Sequence, residues 1–275
     1  LIRSLLMKNI LIPTDLSQNS FNALAYSIKL FADAPINFYV LYVGNLDKPE
    51  EVKNSIILPT KEKLKAFMER VAILSTFQGH QFMAIHLIGN KISILREIVA
   101  EKKIDLIALG SEIFSTEKSS NIGNNIWEII TKIPCNTLII PDSALTSCPK
   151  QIIFPTNYHI FFSNNILQSI SEVLELTRSK LQILNILSNK IKLTHDQEKN
   201  REYFEDYLEE THENRYYFHN AQETDVCTAI EEYLTSHNGD MLVLFAKNLN
   251  FIHKLLFNSK PKPPHHNLPM LVLHE

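Results

Sequence analysis

The first patterned segment, Lys8-Asn-Ile-Leu-Ile-Pro-Thr-Asp15, is a short apolar run closed by turn formers and reads as a buried strand and its turn. Behind Ser17 the period changes. Phe21, Leu24, Ala25, Ile28, Phe31 and Ala32 form a helical stripe to residue 32, with the serine as its cap. Ile36 to Val43 is almost continuously apolar, as expected of a strand covered on both faces. Thr60 to Phe77 is helical, with Leu64, Phe67, Met68, Val71 and Leu74 on one side. Strands at 81–87, 104–109 and 135–140 then alternate with helices at 92–102 and 124–133. Alternation of this kind predicts a parallel sheet with helices on both faces.

The pattern occurs twice. Lys150-Gln-Ile-Ile-Phe-Pro-Thr-Asn157 repeats the opening strand, Gly239-Asp-Met-Leu-Val-Leu244 repeats Ile104-Asp-Leu-Ile-Ala-Leu109, and Pro269 to Leu273 repeats Asn136 to Ile140. Pro141 to Lys150 is rich in Pro, Ser and Thr and reads as the linker. The predicted fold class is therefore α/β, two tandem doubly wound domains with five-stranded parallel sheets, over residues 7–142 and 150–275. Residues 1–6 are set aside as an extension before Met7. His195 to Glu213 is acidic, but Phe204, Tyr207 and Leu208 fall at helical spacing, so it reads as an amphipathic helix rather than a recruitment surface.

Charge and composition exclude some partners. Residues 1–142 hold 15 Lys+Arg against 14 Asp+Glu and the remainder 12 against 16, so neither half is basic enough to expect nucleic acid. No apolar run has the roughly 18 residues that a membrane span needs. Cys135, Cys148 and Cys227 are too few and too scattered for a disulfide framework, which points to the cytoplasm. His265-His266 lacks further ligands nearby, so no metal is expected, and Cys135 and Trp127 read as core residues.

Ligands of open α/β sheets bind at the carboxyl ends of strands, where the strand order reverses. In the first copy that edge carries Pro13-Thr14-Asp15, Val43-Gly44 and the hydroxyl-rich segment from Gly110 to Asn124, which opens a helix. Ile10 to Asp15, Leu41-Tyr-Val43, Asp105 to Gly110 and Pro134 to Ile140 together resemble the universal stress protein family, across nearly all of residues 7–275 in two copies. The resemblance implies an adenine nucleotide alpha hydrolase-like fold. It also implies a non-catalytic stress-response role, with pairing through the last strand, here Asn136 to Ile140 and Met270 to Leu273, in a homodimer.

Members that bind ATP carry a Gly, two residues, a second Gly, nine residues, a third Gly, then Ser or Thr. Gly110 and Gly123 match the first and third; Ile113 stands at the second and Asn124 at the Ser/Thr. A β-branched residue is poorly suited to the positive φ that a glycine permits, whereas the Asn124 amide can still donate. Lys118, Ser119 and Ser120 could offset part of the loss. If ATP binds, the resemblance implies Asp15 and Val43 at the adenosine and Gly110, Gly123 and Asn124 at ribose and phosphates, with Pro13, Thr14 and Ile113 also among the site residues, in the first domain only.

In the second copy Asn157, Phe245 and Asn258 stand for Asp15, Gly110 and Gly123, and Ser259 is followed by Lys260-Pro-Lys-Pro-Pro264. Those prolines predict that the phosphate-side helix is broken or missing. Three readings remain: a nucleotide sensor, a ligand-free interaction scaffold, and an enzyme of a related adenylating class. The last would need a glycine-rich turn after strand one, where Thr14-Asp-Leu-Ser-Gln-Asn19 has no Gly.

Overall fold

The computed structural model describes residues 8–44, 54–75, 77–111, 122–144, 148–186, 192–221, 225–257 and 267–275. The chain divides into two compact units, Leu1–Ser147 and Cys148–Glu275.

The first unit runs β1 (Asn9–Thr14), α1 (Gln18–Leu30), β2 (Asn37–Gly44), α2 (Asn54–Leu74), β3 (Gln81–Ile88), α3 (Lys91–Glu101), β4 (Leu106–Gly110), α4 (Ile122–Lys132) and β5 (Asn136–Ile140). Its strand order is β3-β2-β1-β4-β5, and every described pair is parallel. The second unit runs β6 (Gln151–Thr156), α5 (Asn164–Thr177), β7 (Lys180–Asn185), α6 (His195–His212), β8 (Tyr216–Asn220), α7 (Val226–Ser236), β9 (Met241–Phe245), α8 (Leu249–Leu256) and β10 (Met270–Leu273). Its order, β8-β7-β6-β9-β10, is the same. The doubly wound α/β class read from the periodicity is the one observed.

The central strands are buried on both faces, as their unbroken apolar runs require. All five residues of β4 and of β9 are buried, and Ile10, Leu11 and Ile12 of β1 expose nothing. Each such aliphatic side chain contributes about 1.5–3 kcal/mol by leaving water. Ser17 caps α1 as expected, its hydroxyl accepting from the Ser20 N–H. The helix α2 begins at Asn54, six residues before the expected Thr60, and ends at Leu74. Pro59 hid that start, because a proline in sequence reads as a helix boundary. Trp127 is only half-buried; Ile126, Ile129 and Ile130 form the inner face of α4. Cys135 is buried, and burial pushes its thiol up to about 12.

The duplication extends to single hydrogen bonds. Asp105 Oδ2 accepts the N–H groups of Lys8 and Asn9, both at 2.9 Å, and so fastens the start of β1. Asp240 does the same for Lys150 and Gln151 at 2.8 and 2.9 Å. After β1, Leu16 adopts φ 64° while its N–H donates to Thr14 Oγ1; after β6, Tyr158 adopts φ 55° and donates to Thr156 Oγ1. A left-handed non-glycine residue costs roughly 1–2 kcal/mol, and the same threonine hydroxyl offsets that cost in both turns.

The acidic helix α6 is amphipathic, with Phe204 and Leu208 fully buried. Thr194 and Gln197 close a reciprocal capping box at its start.

Candidate functional site

In the first unit the strand order reverses between β1 and β4, which opens the crevice where doubly wound sheets take ligands. Pro13 and Thr14 are the last residues of β1 and both are buried. Thr14 Oγ1 lies 2.8 Å from Ser20 Oγ, tying the strand end to α1. Asp15 is exposed at the mouth, where its Oδ1 accepts the Ser17 N–H at 3.0 Å. Gly110 ends β4 opposite Ile140, and the next N–H, of Ser111, donates to the Ile140 carbonyl at 2.9 Å.

Val43 and Gly44 are the last paired residues of β2 rather than a loop after it, facing Leu87 and Ile88 in register. Gly123 and Asn124 lie in the first turn of α4. Ile113, Lys118, Ser119 and Ser120 lie outside the described residues. The strand ends thus bring Thr14, Asp15 and Gly110 to one edge of the sheet.

Sequence reasoning missed Asn19. This half-buried residue in the first turn of α1 reaches across to Gly110. A Cβ at position 110 would overlap Asn19 Oδ1, lie 2.8 Å from its Cγ and lie 3.1 Å from its backbone oxygen. Helical spacing could show that Asn19 belongs to α1 but not how far it stands from a residue 91 positions away.

The corresponding crevice of the second unit is filled. Three residues (15–17) join β1 to α1, but seven (157–163) join β6 to α5. The longer connection drives Phe162 inward, where it is 3% exposed. Its ring centroid lies 5.5 Å from Phe154, 5.0 Å from Phe204 and 6.0 Å from Phe245. Phe245 occupies the place of Gly110, as the repeat predicted, and is buried. The cavity left beside Asn157, Ile160 and Asn248 encloses about 10 Å³, about the room one water needs.

One expectation for this unit is corrected. The final crossover helix is neither broken nor missing: α8 starts at Leu249, after only three connecting residues (246–248), against eleven (111–121) before α4. Asn258 therefore follows the helix and cannot stand for Gly123, which opens one. The prolines follow α8 in the chain. Their segment, with Asn258, Ser259, His265 and His266, falls outside the described residues.

A serine–histidine–glutamate array occurs elsewhere in the second unit. Ser171 Oγ lies 2.9 Å from His212 Nε2, and His212 Nδ1 lies 3.4 Å from Glu175 Oε1. Ser171 and His212 are each 3% exposed, and Tyr207 Oη lies 2.9 Å from the same serine oxygen. A nucleophile must meet its substrate, and this hydroxyl is sealed between α5 and α6. The array holds two helices together. Among the described residues there is no group of three or more His, Cys, Asp or Glu that could hold a metal, and no helix long and apolar enough to cross a membrane.

Residues 7–141 match the sequence profile of the Universal stress protein family. No curated protein matches the chain. Among solved structures, a universal stress protein from Archaeoglobus fulgidus DSM 4304 aligns with 98% of this chain and 98% of its own length, with a TM-score of 0.70 and 18% identity. A protein of unknown function from Pseudomonas aeruginosa PAO1 aligns with 97% of this chain and 92% of its own, with a TM-score of 0.59 and 13% identity. At such identities the likeness is one of fold.

Proposed function

We propose that the protein is a non-catalytic stress-response regulator, a reading supported by the match of residues 7–141 to the Universal stress protein family. Its first domain senses an adenine nucleotide, and its second has given up that capacity. The contrast between the two crevices supports this reading. The first keeps Thr14, Asp15 and an unsubstituted Gly110 at its strand ends, whereas four phenylalanines fill the second. Asp15 and Val43 would face the adenosine, and Gly110, Gly123 and Asn124 the ribose and phosphates. The proposal places the protein in the cytoplasm, where cysteines outside disulfides are at home.

Calorimetric titration of the full chain with ATP and Mg²⁺ tests the reading, alongside the Ile113→Gly variant. One site per chain in the wild type supports the sensor. No binding by the wild type, with binding by Ile113→Gly, makes the protein a scaffold whose pocket one residue has closed. Sedimentation velocity on the same samples reads whether two chains associate.

A further inference from the structure

A glycine at the end of a strand lets a ligand approach the backbone closely, because no Cβ stands in the way. At Gly110 that space is already taken. The carboxamide of Asn19 lies where a Cβ would be, so an alanine at 110 would strike its oxygen and press on its Cγ at 2.8 Å. Gly110 does not adopt a positive φ. What the described structure demands of this position is close approach, and the group that approaches is Asn19.

We propose that Asn19 gates the first crevice: its carboxamide covers Gly110 until the ribose or phosphate oxygens of a nucleotide take its place. The proposal rests on the nucleotide reading above and names the residue that sets its affinity. Asn19 suits the task. It sits in the first turn of α1, four residues after the mouth residue Asp15, and it is half-buried, so its two side-chain torsions can carry the amide toward solvent. The amide both donates and accepts, so water can satisfy it once displaced. Thr14, at the end of β1, is fixed by Ser20 and does not have to move. The second unit has no such gate, because Phe245 stands where Gly110 would be and the crevice is packed shut.

The test pairs a ligand-free measurement with a binding measurement on the full chain. Thermal unfolding of Gly110→Ala, Asn19→Ala and the double variant forms a cycle. The expected result is that Gly110→Ala is markedly less harmful once Asn19 is an alanine. Independent, additive effects would mean that Asn19 does not cover Gly110 and would overturn the gate whatever binds. In titration with ATP and Mg²⁺, Asn19→Ala is expected to bind about fivefold more tightly than the wild type, the worth of roughly one net hydrogen bond. Binding by Asn19→Ala alone also supports the gate, in a form that keeps the wild type closed. Equal or weaker binding by the variant, with binding by the wild type, overturns the gate but leaves the nucleotide reading standing. Binding by neither protein overturns both.

Discussion

Replacing Phe162 by alanine removes the ring that closes the crevice of the second unit. The ring is 3% exposed, and its centroid lies 5.0, 5.5 and 6.0 Å from those of three other phenylalanines. Phe→Ala in a core costs about 3–5 kcal/mol through lost transfer energy and the cavity left behind. Aromatic pairs at these separations contribute about 0.5–1.5 kcal/mol each beyond the area they bury. Three pairs around one ring place the expected cost in the upper half of that range, about 4–5 kcal/mol. Phe161, the next residue along the chain, is the internal control. It is 52% exposed and, among the described residues, meets only Tyr203 in an aromatic pair, so Phe161→Ala should cost about 1 kcal/mol or less. Native-state hydrogen exchange at the β6 and β9 amides of Ile153, Phe154, Val243 and Leu244 reads the opening free energy of this unit in the intact chain. If Phe162→Ala lowers it no more than Phe161→Ala does, the aromatic plug is not what fills the crevice. Phe162→Ala should not confer ATP binding, because Phe154 and Phe245 remain.

Three further outcomes can be checked. Asp105→Ala and Asp240→Ala each remove a carboxylate that accepts two backbone N–H groups at the start of a central strand; each should cost about 2–3 kcal/mol in urea unfolding, and a loss below about 0.5 kcal/mol would mean that water replaces the clamp freely. Burial, and then the His237 ring 5.2 Å away, lower the pKa of His219, which also lies 2.8 Å from Gln182 and 5.1 Å from the Tyr233 ring centroid. The unfolded chain then takes up a proton at this residue that the native state resists, so stability should fall as pH drops below about 6.5, and His219→Gln should flatten the dependence of Tm on pH between 7.5 and 5.5, a window set by about one unit on either side of that value. At pH 8 (about half a unit below an ordinary thiol pKa) a thiol reagent should modify exposed Cys148 in the native protein and reach buried Cys135 and Cys227 only after denaturation; rapid modification of a second thiol would contradict their burial.

The order of elements, the parallel sheets and the duplication were legible in the chain because each rests on local spacing. A strand repeats every two residues and a helix every 3.6, and the matched runs Ile10-Leu-Ile-Pro-Thr and Ile152-Ile-Phe-Pro-Thr stand in plain view. Even the closure of the second crevice was half legible, since Phe245 falls where the first copy has Gly110. What failed was matching by count across a variable connection. Residues before α4 have their counterpart behind α8, so the prolines read as helix breakers lie beyond the helix they were expected to break. A fixed offset has no means of registering a helix that has moved along the chain while keeping its place between two strands.

Which side chains meet inside the crevices was decided by tertiary structure. Phe162 and Phe245 are 83 residues apart, and Asn19 and Gly110 are 91 apart. Each pair meets because parallel crossovers bring the end of the first strand beside the end of the fourth. The sequence by itself determined that such a crevice exists twice and which strands form it. Whether a given side chain fills it depends on the length of one connection and the first turn of one helix, which set distances that hydrophobic periodicity does not encode.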